Sequence, residues 1–137
     1  MATTTFTSPE LSAGAPTKGL RVGVIAASAV YSFTAVSLTA GDVVQLVKVP
    51  QGATVVGLTL SATTSAGSIT IGDGVDADRY HAGYAMSVSA GASGFSGIYV
   101  PYTYSTDDTI DATISASVSM STANGAINIT VLYAMDT

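Results

Sequence analysis

The sequence contains no cysteine, no tryptophan and a single histidine. The absence of cysteine excludes disulfide bridges, thiolate metal sites and a cysteine nucleophile. A Ser-His-Asp triad would have to use His81, and no Gly-x-Ser-x-Gly motif accompanies that residue. We therefore predict that the protein has no catalytic residues and is not an enzyme.

Charged residues are also scarce, at 9% of the chain, whereas an ordinary soluble domain has about 25%. The net charge is −5, and the four cations are scattered along the sequence. Nucleic-acid binding needs a clustered basic surface, so we predict no nucleic-acid partner. A surface with so few charges repels neighbours weakly, which favours packing against other proteins and a homo-oligomer such as a trimer.

No apolar run is long enough to span a bilayer, so no membrane partner is expected. Residues 22–36 follow Lys18 and Arg21 and resemble a late secretory signal with small residues at a cleavage position. Residues 31–34 alternate in polarity, however, which favours strands over a signal.

From Leu20 onward, apolar and polar residues alternate with a period of two, and no segment shows a helical period. Glycine-, asparagine- and aspartate-rich turns divide this region into about eight or nine strands. At 137 residues the chain is long enough for one core. The prediction is an all-β fold, a jelly-roll-like antiparallel β-sandwich formed by a single domain over residues 20–137.

Four segments lead to more specific predictions. Residues 110–121 alternate without exception, and as an edge strand they would be open to pairing with another chain. Asn124-Gly125 predicts a hairpin that returns into the last strand. Residues 43–49 have apolar side chains on both faces, which predicts a strand covered on both sides, and Val56 is expected to share a core face with Leu58.

The first nineteen residues lack this periodicity and contain two of the four prolines. We predict an extended N-terminal arm over residues 1–19. Phe6 and Leu11 are its apolar anchors and are candidates for contact with a neighbouring subunit.

Aspartates between β-rich segments are the candidates for a metal site. Asp73, Asp76 and Asp78 could converge on a hard cation such as Ca²⁺, although their spacing does not match an EF-hand loop. The alternative is a tight turn whose carboxylates accept hydrogen bonds from backbone amides. We predict no cofactor and keep calcium as the alternative; Asp107 and Asp108 are likewise interpreted as turn residues rather than a hydrolytic pair.

Five tyrosines between residues 80 and 104 are candidates for a protein–protein interface, because tyrosine combines apolar area with a hydrogen-bonding hydroxyl. They are Tyr80, Tyr84, Tyr99, Tyr102 and Tyr104. A sugar-binding platform would use the same residue type, but the absence of tryptophan weakens that interpretation. Core packing is expected to account for some of the five rings.

Residues 47–60 and 68–80 resemble the small β-sandwich virion proteins of tailed bacteriophages. In that family a V-P-x-G-A turn leads into a long apolar strand, as at residues 49–53, and a G-D-G-x-D-x-D-R-[FY] turn follows the next strand, as at residues 72–80. The resemblance implies a capsid decoration or cement protein, or another auxiliary head or tail part. The implied partner is the major capsid protein and the implied location is the capsid surface of a virion, after synthesis in the bacterial host cytoplasm. The alternative is a carbohydrate- or receptor-binding sandwich of a phage fibre or tail.

Overall fold

The computed structural model describes residues 3–7, 23–34, 38–63, 67–85, 101–116 and 124–135. These residues form strands and turns and contain no helix that could cross a membrane. The strands are β1 (Thr5–Thr7), β2 (Gly23–Thr34), β3 (Val43–Val49), β4 (Ala53–Thr63), β5 (Ser68–Asp73), β6 (His81–Ala85), β7 (Tyr102–Thr103), β8 (Asp108–Ala116) and β9 (Asn124–Met135).

The strands form two sheets. The order of the five-stranded sheet is β1-β3-β8-β5-β6 and that of the four-stranded sheet is β2-β9-β4-β7. Pairing β2 with β9, β3 with β8, β4 with β7 and β5 with β6 describes one long antiparallel hairpin rolled into two layers. This is a jelly roll, and the predicted fold class is confirmed.

The core lies between the two sheets and is built from alternate residues of the long strands. On β9 the buried residues are Ile127, Ile129, Val131 and Tyr133. On β8 they include Ile110, Ala112 and Ile114. Each large aliphatic side chain that is removed from water stabilises the fold by about 1.5–3 kcal/mol. Because these side chains alternate along β8 and β9, this energy selects the apolar face of each strand for the core, as the sequence pattern predicts.

Two β-bulges shift the alternation in ways that the sequence pattern did not indicate. On β4 the register shifts between Val55 and Gly57, so Val55 is buried while Val56 points outward. The predicted core position of Val56 is therefore wrong. On β3 a bulge after Gln45 places both Leu46 and Val47 in the core. The bulge explains the consecutive apolar residues of this strand, so they do not require both of its faces to be covered.

The predicted final hairpin is also wrong. β8 lies between β3 and β5 in one sheet, whereas β9 lies between β2 and β4 in the other. Asn124 pairs with Thr34 of β2, and residues 117–123 lie outside the described residues. β8 is consequently an internal strand, so the pairing with another chain that an edge strand would allow does not apply to it.

Part of the predicted N-terminal arm is a strand of this chain's own sheet. β1 runs parallel to β3, and the Thr4 amide donates a 3.1 Å hydrogen bond to Asp42 Oδ1. The Phe6 ring packs against Tyr31 with 6.0 Å between centroids. Leu11 and the boundary after residue 19 lie outside the described residues, so docking of the arm onto a neighbour stays a prediction.

Asp111 is a buried carboxyl on the central strand β8, 5% exposed and opposite Gln45 and Gly72. Within the described part of the chain, its Oδ1 atom has no hydrogen-bond partner. Burial raises the pKa of Asp111 to about 6; a hydrogen bond involving Thr109 opposes this shift, and the charges of Asp108 and Asp73 add to it. The charged form is therefore disfavoured in the folded state.

The substitution Asp111→Asn should flatten the pH dependence of stability. Because the folded-state pKa is raised from 3.8 to about 6, the stability associated with the protonated carboxyl is complete below pH 3.8 and is lost as the pH rises through 6. We expect the variant to exceed the wild type at pH 7 by up to about 3 kcal/mol, and to match it near pH 3.5. Urea unfolding across this range measures the difference, and parallel profiles would contradict the assignment.

Candidate functional site

Three turns meet at one end of the sandwich and bring the two sequence motifs together. The turn between β3 and β4 contacts the β7–β8 connection through the amide of Gly52, which donates 2.8 Å to the Tyr104 carbonyl. The Tyr104 amide donates 2.9 Å to the carbonyl of Ala53. The Gln51 amide donates 2.8 Å to Asp107 Oδ1, and Lys48 Nζ lies 3.7 Å from Asp107 Oδ2.

The carboxylate of Asp73 is the centre of this end, where β5 leads into the β5–β6 turn. Its Oδ1 accepts hydrogen bonds from the Val75 amide at 3.0 Å and the Asp76 amide at 2.9 Å. Its Oδ2 accepts one from Arg79 Nε at 2.5 Å, with Arg79 Nη2 3.4 Å from Oδ1. The Asp73 side chain is 1% exposed and that of Arg79 is 18% exposed. The turn is thus folded around a largely buried ion pair.

Two tyrosine hydroxyls extend this network across the sandwich. The Tyr104 hydroxyl donates a 3.0 Å hydrogen bond to Asp73 Oδ2. It lies 2.6 Å from the Tyr80 hydroxyl. Since Tyr104 has one hydroxyl proton and directs it to Asp73, Tyr80 must be the donor to Tyr104. This relay joins the β5–β6 turn of the five-stranded sheet to the end of β7 in the four-stranded sheet.

Arg79 makes a second connection between the sheets. Its guanidinium carbon lies 3.7 Å from the centroid of the Tyr102 ring on β7. The Tyr102 ring in turn meets the Tyr104 ring edge-on at a centroid distance of 4.9 Å. A guanidinium that stacks on an aromatic face while pairing with a carboxylate is a geometry that lysine would not reproduce.

The pKa values at this site follow from the network. Burial alone raises the pKa of Asp73, but hydrogen bonds from Arg79, from the Asp76 and Val75 amides and from Tyr104 outweigh it and hold the pKa below its usual value. Burial raises the pKa of Tyr80 to about 12. Burial and the Tyr80 hydrogen bond raise the pKa of Tyr104 well above its usual value. The tyrosines therefore stay protonated and Asp73 stays charged.

Gly72 lets the turn close over the sheet. A Cβ at this position would overlap the backbone carbonyl oxygen of Asp76 and the carbonyl group of Ala77. The Asp73 amide donates 2.9 Å to that same Asp76 carbonyl, which fixes the backbone at close range. The first glycine of the motif is required by this close approach and not by a positive φ.

The geometry bears on the calcium alternative. The oxygens of Asp73 already accept four hydrogen bonds with donor distances of 3.0 Å or less. Over the described ranges, no group of three His, Cys, Asp or Glu side chains is arranged to hold a metal ion. Asp76 and Asp78 lie close enough that a hydrogen bond and charge repulsion from Asp76 raise the pKa of Asp78. Calcium binding by this turn stays the untested alternative, and the described residues contain no preformed three-carboxylate site.

Two of the predicted interface tyrosines are core residues. Tyr80 is 0% exposed and Tyr104 is 3% exposed. Their hydroxyls can be buried because they are hydrogen-bonded to each other and that of Tyr104 also bonds to Asp73. Their assignment to an interface is corrected accordingly. Tyr102 is half-buried beneath Arg79 and Phe6 is half-buried against the core. The Tyr84 backbone pairs in β6, and the Tyr84 side chain, Tyr99 and Leu11 lie outside what the structure describes.

The remaining sequence candidates are separate from this network. The Nδ1 atom of His81 accepts a 3.1 Å hydrogen bond from the Gly83 amide within β6. Asp107 pairs with Lys48, and Asp108 Oδ1 accepts a 2.8 Å hydrogen bond from the Thr109 amide. The Asp73–Arg79–Tyr104 network itself was missed, although an aspartate and an arginine flanking a glycine-rich turn in an apolar sequence were a signal for it.

Comparison with known proteins supports the fold. No family model and no curated protein matches the sequence. The fold is similar to a chain of the cyanophage Pam1 capsid asymmetric unit, at 20% identity and TM-score 0.72, covering 90% of this chain and 92% of that one. It is similar to a chain of the capsid of Ralstonia phage GP4, at 14% identity and TM-score 0.68, covering 97% and 99%. A chain of the acidic stable capsid structure of Helicobacter pylori bacteriophage KHP30 matches at 16% identity and TM-score 0.55, covering 84% and 94%.

The substitution Gly72→Ala should destabilise the fold by about 2 kcal/mol or more, because the methyl group must displace backbone rather than a flexible side chain. Gly83→Ala in the same hairpin is the matched control, since a Cβ there meets nothing within 4 Å. We expect the control to change stability by less than about 0.5 kcal/mol. Chemical denaturation compares the two, and equal effects would show that the turn does not close over Gly72.

Removal of the Tyr104 hydroxyl should lower the free energy of unfolding more than removal of the Tyr102 hydroxyl. Tyr104→Phe leaves the buried Tyr80 hydroxyl without its acceptor and removes one of the donors to Asp73. We expect the free energy of unfolding to fall by about 1–3 kcal/mol. Tyr102→Phe keeps the ring beneath Arg79 and is the control.

Asp73→Asn should be the more severe change, costing roughly 3–5 kcal/mol, because Arg79, 18% exposed, loses its close carboxylate partner and keeps only the more distant Asp76, at 3.9 Å. Since the folded-state pKa of Asp73 is lowered, its contribution is complete above pH 3.8 and is lost as the pH falls further. The wild type should therefore lose stability faster than Tyr104→Phe below pH 3.8 in urea unfolding.

The comparison of the two tyrosine variants tests the hydrogen bonds from Tyr80 to Tyr104 and from Tyr104 to Asp73. If Tyr104→Phe and Tyr102→Phe were equally stable, this relay would be excluded.

Proposed function

We propose that the protein is a structural component of a tailed-phage virion that binds the capsid lattice from outside and stabilises it, as a decoration or cement protein. The observation that carries the proposal is the full-length likeness to chains of three phage capsid structures. Each comparison covers at least 84% of this chain and at least 92% of the other chain. The similar chains are therefore small sandwiches of about this size within capsids, and not large proteins that contain one such domain.

The described residues support a role in protein contacts. The polar cluster around Asp73 is closed by its own hydrogen bonds, with Tyr80 and Tyr104 buried beneath the surface. Such a network is suited to holding a surface in one shape, since the Asp73 carboxylate is already occupied by donors from its own chain. The buried positions of Tyr80 and Tyr104 also remove material from a sugar-binding platform.

A rigid sandwich can stabilise a shell by mass action. A protein that binds only the assembled lattice favours the intact state by RT ln(1 + [L]/Kd), about 2.7 kcal/mol per site at a hundredfold excess over Kd. Lattice contacts of roughly 800 Å² per partner would suffice for specific binding. The turn end, pre-organised by the Asp73 network, needs little ordering when it meets a partner.

The test uses capsid shells of the phage whose genome carries the chain, prepared without this protein. Purified protein should co-sediment with these shells, saturate at a fixed copy number per shell and raise the temperature of shell disruption in calorimetry. Shells prepared with the protein already present are the control and should take up no more.

Absence of binding at concentrations that saturate ordinary protein interfaces would refute the proposal. Binding to host cells or glycans without shell binding would refute it as well, in favour of a receptor-binding module. Negative-stain or cryo-electron microscopy of the two shell preparations shows whether the added density lies on the outer surface.

A further inference from the structure

The outer face of the four-stranded sheet belongs to strands that contain no charged residue. β2, β4, β7 and β9 include no Asp, Glu, Lys or Arg. The charged residues of the described chain lie instead in strands of the five-stranded sheet or in turns. They are Asp42, Lys48, Asp73, Asp76, Asp78, Arg79, Asp107, Asp108 and Asp111. The two sides of the sandwich therefore differ sharply in charge.

The same face carries most of the large apolar side chains that are exposed in the described residues. Four of five lie there: Val24 and Val30 on β2, Val56 on β4 and Leu132 on β9. Val24 is 64% exposed and Leu132 is 37% exposed. The fifth, Val75, is 85% exposed at the tip of the β5–β6 turn and lies apart from the sheet. We call the outward side of β2, β9 and β4 the uncharged face.

Two pairs of hydroxyls on the outward side of the four-stranded sheet are hydrogen-bonded to each other. The hydroxyls of Ser28 and Thr130 are 2.8 Å apart across the β2–β9 pair. At the β4–β7 pair, the hydroxyls of Thr54 and Thr103 are 2.7 Å apart. Burial of a hydroxyl costs less when it keeps a hydrogen bond, so these four hydroxyls can lose water at low cost.

Leu132 lies on β9, the central strand of the uncharged face. In the sheet it is paired with Ala26 of β2 and Gly57 of β4, and its side chain leans over Gly57. A large apolar side chain between two small neighbours projects above its surroundings and is available to a partner. Such a central apolar residue has the position of an interface anchor.

We propose that the uncharged face is a self-association surface, and that its occupant is a second copy of this chain. The chain has a net charge of −5, so copies that meet through their acidic turns repel each other. A strongly charged foreign partner would find no counter-charge on this face. The part of a second copy that meets the face without an unpaired charge is the same uncharged face, which favours contact of face against face.

The area is of the size that stable self-association needs. The face spans three strands of 12, 12 and 11 residues. At about 3.4 Å per residue and 4.8 Å between strands, it projects to roughly 550 Å², and the accessible surface of its side chains is larger than this projection. A standard interface buries about 800 Å² per partner.

This inference goes beyond the proposed function, and its test needs no capsid, so the two can fail separately. Mass photometry and analytical ultracentrifugation of the purified chain should show self-association at micromolar concentration. Leu132→Lys places an ammonium in the buried centre and should weaken self-association at least about a hundredfold. Val75→Lys introduces the same charge at an exposed valine off the face and should leave self-association unchanged.

Circular dichroism melting of Leu132→Lys keeps the result interpretable, since a substitution at a partly exposed position should leave the domain folded. The proposal is overturned by a wild-type chain that stays monomeric at 100-fold higher concentration, or by equal self-association of the two lysine variants. It is also overturned if the wild type is monomeric and Leu132→Lys instead loses binding to shells, because the occupant would then be the lattice.

Discussion

The carboxylate of Asp73 holds together pieces of chain that belong to both sheets. It accepts the amides of the β5–β6 turn, pairs with Arg79 and receives the hydroxyl of Tyr104 at the end of β7. β7 has two residues, which pair with Thr54 and Val55 of β4, and backbone hydrogen bonds of Tyr104 to Gly52 and Ala53 extend this ladder only slightly. The side-chain network supplies what the ladder lacks, and the adjoining turns depend on it.

This arrangement explains how a chain with so few charged residues uses them. Arg79 and Asp73 form an ion pair where the two sheets meet, and the Lys48–Asp107 pair links neighbouring turns at the same end. The described carboxylates concentrate on the five-stranded sheet and at turns, while the four-stranded sheet has none in its strands. A sandwich with one uncharged side and one rigid end is suited to contacts with other proteins, which is the role the proposed function gives it.

The sandwich also contains carboxyl groups with opposite responses to pH. Asp73 is stabilised in its charged form by donors on every side. Asp111, on the neighbouring strand β8, is buried with an unpartnered oxygen and is disfavoured in its charged form. The difference arises from hydrogen-bond donors and not from burial, since both side chains are almost inaccessible to solvent.

The sequence by itself determined the fold class, a division of the chain after residue 20 into about eight or nine strands, and the buried faces of β8 and β9, because alternation with a period of two reports directly which side of a strand is apolar. The pairing of the strands was not determined by the sequence pattern. Asn124-Gly125 begins a strand of the four-stranded sheet instead of closing a hairpin, and a bulge in β4 turns Val56 outward. Only the tertiary structure brought Tyr104 to Asp73, 31 residues away, and made a tyrosine that resembled an interface residue part of the core. Periodicity is a local property of the chain, whereas strand pairing, bulges and side-chain networks depend on contacts between distant segments, which residue order alone does not specify.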